Sequence, residues 1–413
     1  MIPLTPVLAV HDFTQLLAVL VAIIVTTKLL GEMAQRVGQP AVLGELVAGV
    51  VLGASMLGIL DPGDPVIAAL SEIGVIVLLF EIGLHTDLRS LVGVGRSAVV
   101  VGLVGVITPF ALGYATAHFL GLEVLPAVVC GAALTATSIG ISARVLSDLG
   151  QLDTPEGQVV LGAAVLDDVV GLIILAVVSG LAAGTGVSLA GIGVNVAVSV
   201  GFIVAALLLG GMLAPPLFRV IARLETAGTL GLLALAFAFL LALLAARARS
   251  APIIGAFAAG LVLHATPQRH DIERKVTSLG HFFVPIFFAA VGAAVDLRTL
   301  ADARVALIGS VLIVVALAGK FVSGYAPWWF KGNKAMVGVA MIPRGEVGLI
   351  FAQMGLATGA LDVGLFSAIA LMVMVTTFLP PPILSRMVAA RRAPANVRDQ
   401  PGDGGIDDLV SGA

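Results

Sequence analysis

Thirteen apolar runs follow one another along this 413-residue chain, and they constrain its fold more than any other feature. They lie near 12–36, 40–59, 65–86, 97–120, 124–148, 157–182, 189–221, 227–246, 251–266, 276–296, 303–328, 333–358 and 363–390. A helix of about 20 apolar residues crosses a hydrocarbon core of ~30 Å. Hydrophobic residues make up 59% of the chain and charged residues 11%, with mean hydropathy +1.12. Soluble domains carry roughly 25% charge, so an ordinary soluble enzyme and a disordered chain are both excluded. The 49 Gly and 20 Pro fit the same reading, because membrane helices tolerate them better than soluble ones do. The expected fold is an all-α polytopic membrane protein with about 13 transmembrane helices. A net charge of −3 leaves no basic footprint for nucleic acid, and the single Cys130 excludes intrachain disulfides and thiolate metal clusters.

Basic residues give the expected orientation. With thirteen spans, fifteen Lys and Arg fall on one side, four on the other and three inside the runs. Cytoplasmic loops are enriched in Lys and Arg, so the N-terminus is expected outside and the C-terminus inside, in the inner (plasma) membrane. The first run lacks a basic leader and is long enough to span, so no cleavable signal peptide is expected. Residues 393–413 are polar and Gly-rich; they read as a disordered cytoplasmic tail with no soluble domain appended.

The chain repeats itself. Gly44-Glu45-Leu46-Val47-Ala48-Gly49 returns as Gly255-Ala256-Phe257-Ala258-Ala259-Gly260. Gly83, Asp87, Leu88, Arg89 and Leu91 return as Gly292, Asp296, Leu297, Arg298 and Leu300, and Gly131 and Ala133 return as Gly338 and Ala340. The offsets are 211, 209 and 207. Matching runs stand seven apart, an odd number, so the two copies have opposite orientation. Inverted-topology repeats mark secondary transporters.

An ionisable residue at membrane depth costs roughly 2.5–3.5 kcal/mol on insertion scales, so each is a functional candidate. The sharpest case is Asp167-Asp168, in the middle of the sixth run. Neighbours on a helix point about 100° apart, so the two carboxylates cannot share one partner. One can pair with a cation on another helix, Lys320 in the eleventh run being the evident one, while the other faces a cavity. Burial disfavours both charges of a Lys–Asp pair and pairing restores them, so the pair can exchange protons when a competing cation arrives. The alternative is a static intramembrane salt bridge that fixes helix packing.

Helix-breaking sequence occupies corresponding places in the two copies: Thr135-Ala136-Thr137-Ser138-Ile139-Gly140 and Ile342-Pro343-Arg344-Gly345-Glu346. Pro and Gly weaken a helix, and unwound backbone at membrane depth is tolerated where it is buried in protein or lines a cavity. Free carbonyls, half-helix ends and the Thr and Ser hydroxyls then suit a hard monovalent cation. Arg344 and Glu346 are expected to neutralise each other or the broken helix ends. Glu72 is the candidate to reach Arg344 across a domain interface, Glu81 is expected to be solvated, and Lys28, Glu32 and Glu45 are expected to snorkel. His118, His264 and His281 show no metal spacing. Phosphate-loop, dinucleotide and hydrolase motifs are absent, so neither a cofactor nor an enzymatic activity is expected.

The Asp-Asp pair, the Thr-Ala-Thr-Ser break before it, Lys320 and the Pro-Arg-Gly-Glu segment together resemble the monovalent cation:proton antiporter-2 family, and most closely its bacterial NapA-type sodium/proton antiporters. The likeness spans roughly residues 12–392. It implies a homodimer whose protomers have a dimerisation domain (12–86 and 227–296), a core ion-translocation domain (97–182 and 303–390) and a linking helix (189–221). It also implies that the two broken helices cross, that Asp168 alternately holds sodium or a proton, and that Asp167 partners Lys320. Thr135, Thr137, Ser138, Pro343, Arg344 and Glu346 would then support the site. Asp-Asp with Lys resembles the electrogenic members, whereas the Kef-type potassium/proton members tend to have Gln-Asp and carry a nucleotide-binding domain. The expected activity is sodium (or lithium)/proton exchange by alternating access; potassium/proton exchange and sodium-coupled symport of an organic anion are the alternatives. A channel or a sensor is a weaker rival, for want of filter repeats or an output domain.

Overall fold

A computed structural model of the protein describes residues 13–182, 189–224, 226, 228–248, 250–294 and 303–392. Among these, seventeen helices occur and no strand. The first half contains α1 (Phe13–Arg36), α2 (Ala41–Leu52), α3 (Pro65–His85), α4 (Leu88–Gly93), α5 (Gly95–Phe119), α6 (Val124–Ala133), α7 (Ile139–Asp148) and α8 (Pro155–Ala182). After α9 (Leu189–Ile221) come α10 (Thr229–Arg247), α11 (Pro252–His264), α12 (Arg269–Ala293), α13 (Ala303–Ser323), α14 (Lys334–Ala340), α15 (Glu346–Ala357), α16 (Val363–Phe378) and α17 (Pro380–Arg392). Eight stretches of the described residues are long and apolar enough to cross a membrane. Four shorter apolar helices accompany them: Ala41–Leu52, Val124–Ala133, Pro252–His264 and Val347–Leu356. The tail from 393 and the second copy's Asp296-Leu297-Arg298 lie outside the described residues.

Local chemistry sets the helix limits. Asp64 caps α3 by accepting from the N–H groups of Val66 and Ile67, and Pro65 fills the first helical position, where no N–H is needed. Asn333 and Asp362 cap α14 and α16 in the same way. Several boundaries differ from the apolar runs. The second helix stops at Leu52 although apolar sequence continues, because the chain turns at Gly53 and again at Gly58 with φ +64°. The tenth run belongs to a helix that begins earlier, at Arg269, whose polar first turns hydropathy passes over. The last run divides at Leu379 into α16 and α17.

The helices pack in two groups. α1, α2 and α3 pack with α10, α11 and α12, joined by α9; α5, α6 and α8 pack with α13 to α17. Glycines make the closest crossings, and these follow the repeat. A Cβ on Gly49 would stand 2.1 Å from the Ala289 carbonyl oxygen and 2.8 Å from Gly292 Cα; one on Gly260 would stand 2.3 Å from the Phe80 oxygen and 2.6 Å from Gly83 Cα. Position 49 corresponds to 260, and 83 to 292, so the 49–292 and 260–83 crossings are one contact seen twice. Such exchange is what a two-fold relation between the copies requires. In the second group, Gly131 meets the Phe110 carbonyl and Gly338 the Phe321 carbonyl in the same fashion.

Gly292→Ala would push a methyl to 2.1 Å from the Leu46 carbonyl oxygen and force α2 from α12. The expected loss is about 1–3 kcal/mol, read as a lower unfolding temperature in detergent. Gly211→Ala on α9, with open space around the new methyl, should leave the transition unchanged or slightly raised.

Candidate ion-binding site

Two interrupted helices meet at the centre of the second group. α6 ends at Ala133 and α7 begins at Ile139; α14 ends at Ala340 and α15 begins at Glu346. The connecting segments 134–138 and 341–345 leave the helices through turns at Leu134 and Met341 and are non-helical and buried throughout. Their free polar groups satisfy one another. The Ser138 N–H donates to the Pro343 carbonyl (2.8 Å), and the Thr137 hydroxyl to that of Met341 (3.2 Å). The Ser142 hydroxyl donates to the Ala340 carbonyl (2.7 Å), and Arg344 Nη1 to that of Ala136 (3.2 Å). Thr377 on α16 donates to the Arg344 carbonyl at 2.6 Å. Gly345 is needed here because a Cβ would lie 2.9 Å from the Ser138 side chain.

The two aspartates of α8 take different environments. Asp167 Oδ2 accepts from Lys320 Nζ at 3.0 Å and from the Thr137 N–H at 2.6 Å, and the side chains of both partners of this ion pair are 0% exposed. Its other oxygen is buried without a hydrogen-bond partner among the described residues. Gly105 lies beside the ammonium, which is 3.5 Å from where its Cβ would be. Asp168 is half-buried and lines a small, narrow cleft with Ala136, Thr137, Ser138, Ile139, Gly345, Val347 and Ile253. Ile253 comes from α11, so the cleft lies where the two helix groups meet. One carboxylate among backbone and hydroxyl oxygens makes a donor set of low charge and hard oxygen character, suited to a monovalent cation.

Most of the sequence-predicted residues therefore come together: Asp167, Asp168, Lys320, Thr137, Ser138, Pro343 and Arg344. Thr135 does not join them, since its hydroxyl bonds back to the Ala132 carbonyl at 2.7 Å and closes the end of α6. Arg344 is fully buried against Ala136, whereas Glu72 is exposed on α3, so the expected contact between them is not made. The Glu346 side chain lies outside what the structure describes. Glu45 does not snorkel: it is 3% exposed, with Arg144 and Asp148 of α7 beside it. Lys28 and Glu32 are exposed as expected. Glu81 is half-buried and accepts from the Thr277 hydroxyl at 2.7 Å instead of being solvated. His118 stacks on Tyr114, and His264 bonds the Leu84 carbonyl. Sequence reasoning passed over Ser142, Thr377 and Ile253. The first could have been found as the hydroxyl one turn beyond Ser138 on the same half-helix.

An inverted repeat whose broken helices cross beside buried charges is a secondary-transporter architecture. Residues 19–390 match the family model for the sodium/hydrogen exchanger, transmembrane, and the chain belongs to that family. It is 42% identical over 405 residues to the high-affinity Na(+)/H(+) antiporter NhaS3 of Synechocystis sp., covering 88% of each chain. With the Na(+)/H(+)-K(+) antiporter GerN of Bacillus cereus it shares 34% over 373 residues, 89% of this chain and 95% of that one. The fold is that of the sodium proton antiporter MjNhaP1 from Methanocaldococcus jannaschii, with TM-score 0.72 over 95% of this chain and 100% of that one, at 16% identity.

Asp167→Asn leaves Lys320 as a buried cation without its counter-charge and should cost about 3–5 kcal/mol. Adding Lys320→Met removes the charge and should restore most of the loss. Thermal unfolding of both variants beside wild type checks this; equal stability of the single variant and wild type contradicts the pairing.

Proposed function

We propose that the protein exchanges sodium or lithium for protons across the inner membrane by alternating access, moving net charge in each cycle. The observation that carries this reading is the division between neighbours: Asp167 is held by Lys320 and the Thr137 N–H, while Asp168 faces the cleft between the helix groups. In this reading Asp168 holds either a dehydrated cation or a proton, with the Thr137 and Ser138 segment supplying further oxygens. Lys320, freed as the cation enters, accounts for a second proton and hence for net charge. The likeness to NhaS3 and GerN, both named as Na(+)/H(+) antiporters, supports sodium/proton exchange, and GerN's name adds potassium as a second cation to test.

The two helix groups are then the dimerisation domain (α1–α3 and α10–α12) and the mobile core (α5–α8 and α13–α17), with α9 linking them and a second copy completing a homodimer. Two contacts tie the groups at the end where basic residues collect, the proposed cytoplasmic side. Asp148 Oδ2 accepts from the Val42 N–H at 3.5 Å, and the Ser385 hydroxyl donates to the Gly38 carbonyl at 2.6 Å. Core movement would have to break both.

Proteoliposomes with a trapped pH dye test the exchange directly. Sodium or lithium should evoke proton flux in wild type, and Asp168→Asn should lower it at least about 100-fold while folding normally. Retained flux in Asp168→Asn contradicts the assignment. A response to potassium alone moves the protein to the potassium/proton reading.

A further inference from the structure

We propose that Trp328, Lys331, Lys334 and Arg96 form a docking site for the headgroup of an anionic phospholipid. The chain has two Trp and two Tyr, and three of these four rings, Tyr325, Trp328 and Trp329, fall within five residues after α13. Such amphipathic rings concentrate at the membrane–water boundary. Placing this boundary at the inner face rests on the orientation proposed above.

The platform is built and held. Trp329 Nε1 donates to the Ser97 hydroxyl at 3.1 Å, and the Arg96 guanidinium lies 4.2 Å over the same ring. Trp328 stands across it, with ring centroids 5.7 Å apart and planes at 83°, and is 78% exposed. Lys334 Nζ donates to the Trp328 carbonyl at 3.0 Å, which keeps its charge beside that ring, and Lys331 is exposed between them. Glu156 lies close to Gly332, and its Oε1 is already engaged by the Asn333 N–H (2.7 Å) and Arg391 (3.1 Å). Among the described residues Arg96, Lys331 and Lys334, the three cations around this exposed indole, form no ion pair with an acid. A phosphate headgroup supplies the complementary charge, and its acyl chain lies along the ring. Basic residues beside a membrane attract anionic lipid in this way.

Because both tryptophans belong to the patch, tryptophan fluorescence excited selectively over tyrosine reports on it alone. The full chain would be placed in phosphatidylcholine vesicles containing equal mole fractions of brominated phosphatidylglycerol or brominated phosphatidylcholine. The anionic quencher should act at least about twofold more strongly, and Lys331→Gln/Lys334→Gln should bring the two quenchers to parity. If that double variant does not fold, Lys331→Gln alone should still reduce the preference. Equal quenching in wild type overturns the proposal, as does a preference unchanged by removing the lysines. No transport is read, so this result stands apart from the test of cation exchange.

Discussion

Backbone interrupted at membrane depth must find its hydrogen-bond partners inside the protein, because hydrocarbon supplies none. The crossing of segments 134–138 and 341–345 meets that requirement by joining the two breaks to each other: a serine N–H, two hydroxyls and an arginine of one copy or the other close on carbonyls of the opposite copy. The same crossing fixes the Thr137 N–H toward Asp167, so the ion pair with Lys320 is seated on the break itself. Asp168 is left facing the cleft as a consequence, since an adjacent helical residue points about 100° away.

Around this centre the packing is organised to keep the crossing in place while leaving a boundary beside it. Glycine contacts at backbone distance hold α2 on α12 and α3 on α11, and a second set holds α5 on α6 and α13 on α14. Between the two groups side-chain contacts take over, with Phe287 of α12 and Val75 of α3 beside Gly140 of α7. They include single polar ties, Asp148 to Val42 and Ser385 to Gly38, and an isoleucine of α11 bordering the cleft. Close-packed glycine crossings resist sliding, whereas isolated hydrogen bonds of about 0.5–1.5 kcal/mol each can be exchanged.

Much of this was legible in the sequence, for identifiable reasons. The repeat could be read because the positions that recur are glycines at helix crossings, where any side chain would collide. The Asp167–Lys320 pair could be read because buried charge needs a partner, and Lys320 was the lysine set deep in an apolar run. Which aspartate takes the lysine is a matter of helix rotation, and in the structure it is Asp167 that stands 3.0 Å from Lys320 Nζ. Contacts between distant segments were not legible. Glu45 lies near the end of an apolar run and reads as a snorkelling acid until α7 brings Arg144 and Asp148 beside it. Glu72 and Arg344 look complementary in the chain, yet one faces outward and the other is enclosed. Helix ends were missed where hydropathy and backbone geometry part company, as at Gly58, or where a polar first turn precedes the apolar stretch, as at Arg269.

The proposed exchange requires that a cation and a proton compete for one carboxylate. Calorimetric titration of the purified protein with sodium, repeated in buffers of different ionisation enthalpy, measures that competition at equilibrium. The observed heat should vary with the buffer as protons are released on binding, and the apparent affinity should strengthen as pH rises, by up to tenfold per pH unit for each proton displaced. Heat that is independent of the buffer, with an affinity that does not change with pH, would contradict the account.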